Sequence, residues 1–133
     1  MTVNLGVNFL AIIVGAIAAV AIGIVYYGIL GVGDRQSRML GASTARPGPV
    51  QLATGLIVGL VNACVIALLS LNLGATSIAD AILLGAIVWV GFGATFKAAQ
   101  VAFEHRPWAV WALQGVHDLI VEVVVAVIVT LWR

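Results

Sequence analysis

The chain has 133 residues, of which 63% are hydrophobic and only 8% are charged, with a mean hydropathy of +1.20 and a formal net charge of +1. Charged residues make up roughly a quarter of a soluble domain, so this composition excludes a soluble globular protein. The small net charge also argues against nucleic acid as a partner. We therefore predict a membrane protein with a single domain, residues 1–133, whose main partner is the lipid bilayer.

Four apolar segments follow one another along the chain, at about residues 7–30, 50–71, 78–100 and 108–132. Each is close to the roughly 20 residues that a helix needs to cross a bilayer, and none shows the alternation of a half-buried strand. The first segment lacks the basic region and cleavage site of a secretory signal, so we expect it to remain as a span. The predicted fold class is all-α, with four transmembrane helices.

The polar connections predict the orientation of these helices. The first connection, residues 31–49, is long and rich in glycine, serine and arginine, whereas the third, residues 101–107, is a tight turn. Five of the six basic residues lie in or beside these two connections: Arg35, Arg38, Arg46, Lys97 and Arg106. By the positive-inside rule, we expect both connections to be cytoplasmic and both termini to face outward.

The chain also resembles itself at two offsets. Ala11–Gly23 (AIIVGAIAAVAIG) matches Ala81–Gly93 (AILLGAIVWVGFG) at a shift of 70 residues. At a shift of 60 residues, further matches follow: Arg46-Pro47 with Arg106-Pro107, Val50 with Val110, Gly55 with Gly115 and Asn62 with Glu122. We predict two helical hairpins that descend from one by duplication and are related by a pseudo-twofold axis along the membrane normal. Chance agreement among common membrane residues is the alternative.

The fourth segment carries polar side chains near its middle. On a helix, Gln114, Asp118 and Glu122 are spaced i, i+4 and i+8 and share one face, with His117 beside them. Ionisable groups inside a membrane are costly unless they are paired or hydrated. This part of the fourth helix is therefore the first candidate for a functional site.

Two residues on other helices are expected to reach this polar face. If the third and fourth helices turn near residues 104–106, Lys97 lies beside the fourth helix and can meet Asp118, or reach Gln114 and His117. Asn62 lies near the centre of the second span and is a further hydrogen-bonding candidate. Both are expected as supporting polar contacts.

Three interpretations of this cluster compete. In the first, Lys97, Asp118 and His117 only fix the packing of the helices. In the second, Asp118 and Glu122 are proton or cation sites, His117 is their relay and Lys97 is the counter-charge. In the third, His117 and Asp118 act as a catalytic base or as metal ligands. The third is the weakest, because adjacent His and Asp are not a ligand spacing and no nucleophile accompanies them.

The working prediction is proton- or cation-linked transport of a small solute or ion, with no enzymatic activity, cofactor or metal. Four helices enclose little polar volume, so we expect a homo-oligomer. The alternative is a non-catalytic structural or accessory membrane subunit whose polar cluster fixes packing.

Four short motifs resemble those of a known family: Asn8 to Ala11 (NFLA), the aromatic pair Tyr26-Tyr27, Glu104-x-Arg106-Pro107, and His117 in the fourth helix. In these motifs the chain is similar, over nearly its whole length, to the bacterial membrane proteins grouped as "domain of unknown function 1761". The resemblance implies four helices and a bacterial inner (plasma) membrane location, and it names no activity.

The resemblance also singles out particular positions. Tyr27, Glu104, Arg106 and His117 match the family pattern. The chain departs from that pattern after Tyr27, where GILGVGDR replaces a bulkier segment, and at Val116, where an aromatic residue often precedes the histidine. From its place at the end of the first span, the pair Tyr26-Tyr27 is expected to anchor the helix at the membrane interface.

Overall fold

The structure, a computed structural model, describes residues 2–43 and 46–133. All regular structure in these residues is helical, which confirms the predicted class. Five helices follow in chain order: α1 (Phe9–Ile29), α2 (Val32–Leu40), α3 (Pro49–Asn72), α4 (Ile78–Glu104) and α5 (Trp108–Leu131). All except α2 are long and apolar enough to cross a membrane, and they lie within a few residues of the predicted spans.

Short polar side chains and turn residues set the ends of these helices. The Asn8 side chain caps α1, because its oxygen accepts hydrogen bonds from two backbone N–H groups of the first turn. At the start of α4, Ser77 and Asp80 bond each other's backbone N–H groups, at 3.1 and 2.9 Å. α4 ends at Glu104, the next residue His105 adopts a left-handed backbone with φ of 54°, and Pro107 precedes α5. The tight turn predicted between the last two spans follows from these residues.

The first connection differs from the prediction, because part of the segment 31–49 forms α2 rather than a loop. Gly31 and Gly41 bound this helix in left-handed conformations, with φ of 69° and 64°. Its arginines are exposed, whereas its other face packs on the end of α1 and on α5. Residues 44 and 45 of the connection lie outside the described part of the chain. The polar composition of this segment therefore belongs partly to a short amphipathic helix.

The helix α5 lies at the centre of the bundle. It packs along α1, α3 and α4, whereas α3 and α4 barely touch each other. The apolar core that these contacts enclose is built mainly from alanine, valine and isoleucine: Ala11, Ile12, Ala63, Ile66, Ala67, Ala81, Leu84, Val88, Val121, Val125, Ala126 and Val129. Small and β-branched side chains allow the helices to approach closely, which supplies packing energy where lipid offers no hydrophobic drive.

The closest approach of two helices occurs where Gly85 of α4 lies against the backbone of α5. A Cβ atom built on Gly85 would come within 2.8 Å of the carbonyl oxygen of Glu122 and of the Cα atom of Val123. A Cβ atom built on Gly55 of α3, by contrast, would have no heavy atom of the described residues within 4 Å. The crossing of α4 and α5 therefore requires a glycine at position 85. It also fixes which residues of the two helices lie at the same level, with Gly85 opposite Glu122 and Val123.

We predict that Gly85→Ala destabilises the bundle, because backbone atoms cannot move aside as a flexible side chain can. The expected loss is about 1–3 kcal/mol, the usual cost of overpacking. Thermal unfolding of the purified protein in detergent measures it. Gly55→Ala is the matched control and should be neutral or stabilising, since alanine favours a helix by up to about 1 kcal/mol over glycine. Equal stability of the two variants would contradict the proposed crossing.

Candidate functional site

The polar face of α5 is partly buried between the other helices, about midway along its length. His117, Asp118 and Glu122 all contact residues of a neighbouring helix, whereas Gln114, one turn earlier, takes no part in the contacts described below. The structure therefore brings together most of the residues that the sequence singled out.

The carboxylate of Asp118 is shared between two partners. One oxygen, Oδ2, forms an ion pair with the ammonium group of Lys97, which reaches across from α4. The other, Oδ1, lies 3.0 Å from Nδ1 of His117. The three side chains are 20%, 31% and 17% exposed for Asp118, Lys97 and His117 respectively. Both oxygens of Asp118 are thus engaged, and the charge of Lys97 is compensated within the bundle.

Glu122 lies one turn further along α5 and has a different partner. The amide nitrogen of Asn62 on α3 donates a hydrogen bond of 3.1 Å to its Oε2. Asn62 is neutral, so this contact leaves the charge of Glu122 uncompensated when its carboxyl group is ionised. Of the two carboxylates in the cluster, only Asp118 has a cationic partner in the described residues.

The two tyrosines of α1 lie against His117, a contact that the sequence reading as interfacial anchors did not foresee. The ring centroid of Tyr27 is 4.8 Å from that of His117, and the centroid of Tyr26 is 5.5 Å from it. The hydroxyl group of Tyr26 donates a hydrogen bond of 2.8 Å to the carbonyl oxygen of Leu113 on α5. The one sequence signal for this contact was the family resemblance, which singled out Tyr27 and His117 together.

The other two family-matching residues lie elsewhere, in the turn between α4 and α5. Glu104 and Arg106 form an ion pair there, with 2.6 Å between Oε2 and Nε, and both side chains are largely exposed. An exposed pair of this kind contributes little to stability. Its place beside the left-handed His105 indicates a role in shaping the turn.

Two π-helical turns flank the cluster, one in α1 (Ile24–Ile29) and one in α4 (Trp89–Ala94). Such turns are rare and interrupt the regular i to i+4 bonding of a helix. In α4 side chains bond to carbonyl groups of the turn: Thr95 donates to Gly91 at 2.7 Å, and the indole nitrogen of Trp111 donates to Ala94 at 2.9 Å. The Trp111 bond also ties α5 to α4 just before the polar face.

A second polar cluster lies near the other end of α5. The hydroxyl groups of Ser70 on α3 and Thr130 on α5 are 2.8 Å apart and fully buried. Arg133 donates hydrogen bonds to the carbonyl oxygens of Ser70 and Ala75, at the end of α3 and just beyond it. Thr130 lies eight residues after Glu122 and so on the same face of the helix, and this spacing is the sequence signal that could have identified it.

The arrangement offers no ready metal site: in residues 2–43 and 46–133, no three His, Cys, Asp or Glu side chains form a group that could hold an ion. What the cluster does offer is a carboxylate with a neutral partner and an imidazole with one nitrogen uncommitted, beside an internally neutral ion pair. These groups are suited to the uptake and release of a proton.

These features define a small all-helical protein with four helices of membrane-spanning length and a part-buried ionisable cluster on the central one. Residues 10–130 match the family model described as "Protein of unknown function (DUF1761)". The chain belongs to this family, which confirms the resemblance found in its motifs. No curated protein and no solved structure matches the chain.

We predict that Lys97 and Asp118 are strongly coupled. Lys97→Met or Asp118→Asn alone leaves one charge unpaired and should destabilise the protein by about 3 kcal/mol, whereas the double variant leaves none and should lose much less than the sum. Thermal unfolding in detergent measures all three variants.

The exposed pair of the turn provides the control for this cycle. Glu104→Gln should change stability by less than about 1 kcal/mol, because Arg106 remains hydrated when it loses its partner. Strictly additive losses for Lys97→Met and Asp118→Asn would show that the buried pair does not act as a unit.

Proposed function

We propose that the protein is a small, non-enzymatic membrane transport protein that couples proton or small-cation exchange to the movement of a small solute or ion. The observation that carries this proposal is Glu122. Its carboxyl group is half-buried midway along the central helix and has a neutral hydrogen-bond partner, Asn62. A carboxyl group in such surroundings is expensive to keep charged, and intramembrane groups of this kind commonly lie on ion or proton pathways.

The formal charges of the cluster support a single exchangeable proton. The charges of Lys97 and Asp118 cancel each other. The cluster is therefore neutral when one proton is added to the pair formed by a neutral His117 and an ionised Glu122, on either group. A second proton makes the cluster positive, and removal of the proton makes it negative. Since both charged states are unfavourable away from water, uptake of one proton and its release are linked to a change in the surroundings of the site. Glu122 and His117 are the exchanging groups in this proposal, and Asp118 is the fixed partner of Lys97.

The packing beyond Glu122 supports a carrier that opens by a conformational change rather than an open channel. Ile66, Val125 and Ala126 are fully buried and separate Glu122 from the Ser70 and Thr130 hydroxyl pair. These two polar levels are about 12 Å apart along α5. A proton cannot cross this dry layer without rearrangement, so movement of the helices is part of the proposed mechanism.

We propose that the chain consists of two duplicated hairpins, α1 with α3 and α4 with α5. Two pairs of contacting residues support this: Asn62 with Glu122, and Ser70 with Thr130, each separated by 60 positions. The same shift aligns α3 with α5 in the sequence. Residues that face their own equivalents lie beside a twofold axis, so a pseudo-twofold axis between α3 and α5 accounts for both contacts.

The glycines of α1 and α4 give independent support for the duplication. A Cβ atom on Gly15 would lie 3.5 Å from Ala63, and a Cβ atom on Gly85 would lie 2.8 Å from Val123. The shift of 70 residues aligns Gly15 with Gly85, and the shift of 60 residues aligns Ala63 with Val123, so the two contacts are equivalent. The halves have since diverged, because α1 packs along α5 whereas α3 and α4 barely touch.

The proposed setting is the bacterial inner membrane, as a single-domain homo-oligomer with both termini outside. Exposed arginines support the orientation: Arg35 and Arg38 on α2 and Arg106 in the α4–α5 turn all lie at the same end of the bundle, the end at which a cytoplasmic excess of basic residues is expected. Oligomerisation would supply the polar volume that four helices alone do not enclose.

A second candidate function is that of an accessory membrane subunit whose cluster only fixes helix packing. The observation that favours it is the full engagement of Asp118, whose two oxygens hold Lys97 and His117. Isolated polar contacts of this kind specify helix register with little net stabilisation. The transport function requires Glu122 to exchange a proton, whereas the accessory function requires only its packing and hydrogen bonding.

We predict that Glu122→Gln abolishes proton flux while the protein still folds and assembles. Glutamine keeps the shape of the side chain and an oxygen that accepts the Asn62 hydrogen bond, but it cannot exchange a proton. The measurement uses proteoliposomes that enclose a pH-sensitive dye, with an imposed pH gradient and empty liposomes as the baseline.

Glu104→Gln is the control for this experiment, because Glu104 is an exposed carboxylate far from the cluster. It should leave the flux unchanged. Flux through Glu122→Gln equal to that of the unchanged protein over the pH range would refute the proton-site proposal and favour the accessory subunit.

A further inference from the structure

The two ring nitrogens of His117 have different surroundings. Nδ1 is held 3.0 Å from Oδ1 of Asp118. Nε2 is buried and has no hydrogen-bond partner among residues 2–43 and 46–133. Gly23 of α1 lies close to it, since a Cβ atom there would be 3.6 Å from Nε2, and the rings of Tyr26 and Tyr27, on the following turn of α1, pack against the imidazole. A buried polar atom without a partner is costly, so its presence requires an explanation.

One hydrogen bond holds the tyrosine pair beside His117. The Tyr26 hydroxyl donates to the carbonyl oxygen of Leu113, on the turn of α5 that leads to His117. Tyr27 packs against the imidazole at a ring angle of 49°, and its hydroxyl group has no comparable bond in the described part of the chain. The two adjacent tyrosines thus differ: both rings lie beside the imidazole, but only the hydroxyl group of Tyr26 bonds to α5 in the described part of the chain.

We propose that Nε2 of His117 is the atom that takes up and releases the proton, and that Tyr26 controls the access of water to it. This inference rests on the proposed function and assigns its proton-loading atom and its gate. In the loading step, Nε2 uses its lone pair to form an N–H bond as an O–H bond of a hydronium ion breaks, and a water molecule leaves. Nδ1 keeps its proton directed at the Asp118 carboxylate, whose charge Lys97 already balances, and the ionised carboxylate of Glu122 balances the new positive charge. Release is the reverse transfer to water.

The part that moves is the π-helical turn of α1. Tyr26 and Tyr27 lie within Ile24–Ile29, and Gly31, with φ of 69°, follows this segment and precedes α2. Among the described residues, no heavy atom lies within 4 Å of a Cβ atom built at Gly28 or Gly31, so there is open space beside these two positions, whereas Gly33 of α2 packs against Tyr27. A π turn is a less regular arrangement than an α-helical turn. Loss of the Tyr26 hydrogen bond therefore favours displacement of the tyrosine pair from His117.

The test compares Tyr26→Phe with Tyr27→Phe, which each remove one hydroxyl group and leave both rings in place. Deuterium exchange at the C2 position of the imidazole, followed by mass spectrometry in detergent at constant pH, reports the access of water to each histidine. One hydrogen bond shifts an opening equilibrium by about 2- to 10-fold. We expect Tyr26→Phe to accelerate exchange at His117 by this factor and Tyr27→Phe to leave it unchanged. His105, which is exposed in the α4–α5 turn, is the internal reference and should exchange at one rate in all three proteins.

Equal exchange at His117 in the two variants would overturn the assignment of Tyr26 as the gate. Exchange at His117 as fast as at His105 in the unchanged protein would also overturn it, because Nε2 would then not be covered. The result is independent of the flux experiment. If Glu122→Gln abolishes flux but Tyr26→Phe does not change exchange, transport stands and the gate fails. If Tyr26→Phe accelerates exchange but Glu122→Gln does not alter flux, the cover exists and the transport function fails.

Discussion

Apolar surroundings offer no partners for polar side chains, and the arrangement of the bundle follows from that constraint. Three polar residues in the middle of α5 are each matched by a different helix: Asp118 by Lys97 of α4, Glu122 by Asn62 of α3, and His117 by the tyrosine pair of α1. A helix that needs partners from three neighbours has to lie between them. The central position of α5 is therefore as much a consequence of its polar face as of its apolar one.

The long helices were predictable because their signal is local and redundant. About 20 consecutive apolar residues can satisfy their backbone in lipid only as a helix, so composition alone located all four within a few residues. The helix α2 was missed because nine residues with few apolar positions between Gly31 and Gly41 have the composition of a loop. The π turns were missed because no local sequence pattern reveals them; the turn in α4, for example, accepts a hydrogen bond from Trp111 of another helix.

The site was predictable where chain geometry connects its members. The tight α4–α5 turn brings Lys97 beside the polar face of α5, so its meeting with Asp118 could be expected from spacing. Spacing gives no such relation between α1 and α5, and the contact of Tyr26 with that helix had no signal of this kind. Thr130 shares the face of Glu122 but carries no charge, so the polar face of α5 was predicted to end at Glu122. Contacts between distant helices need the tertiary structure.

A π turn holds one residue more than an α-helical turn, and this has a consequence for comparisons within the family. Removing a single residue from Ile24–Ile29 would restore regular helix and leave the later side chains of α1 on nearly the same face, because the π turn takes up one extra residue, but it would change which residues within the turn face α5. Two proteins with identical aromatic residues but unequal helix lengths would then present different groups to the histidine. Insertions and deletions in this turn thus carry as much information about the site as amino-acid substitutions do.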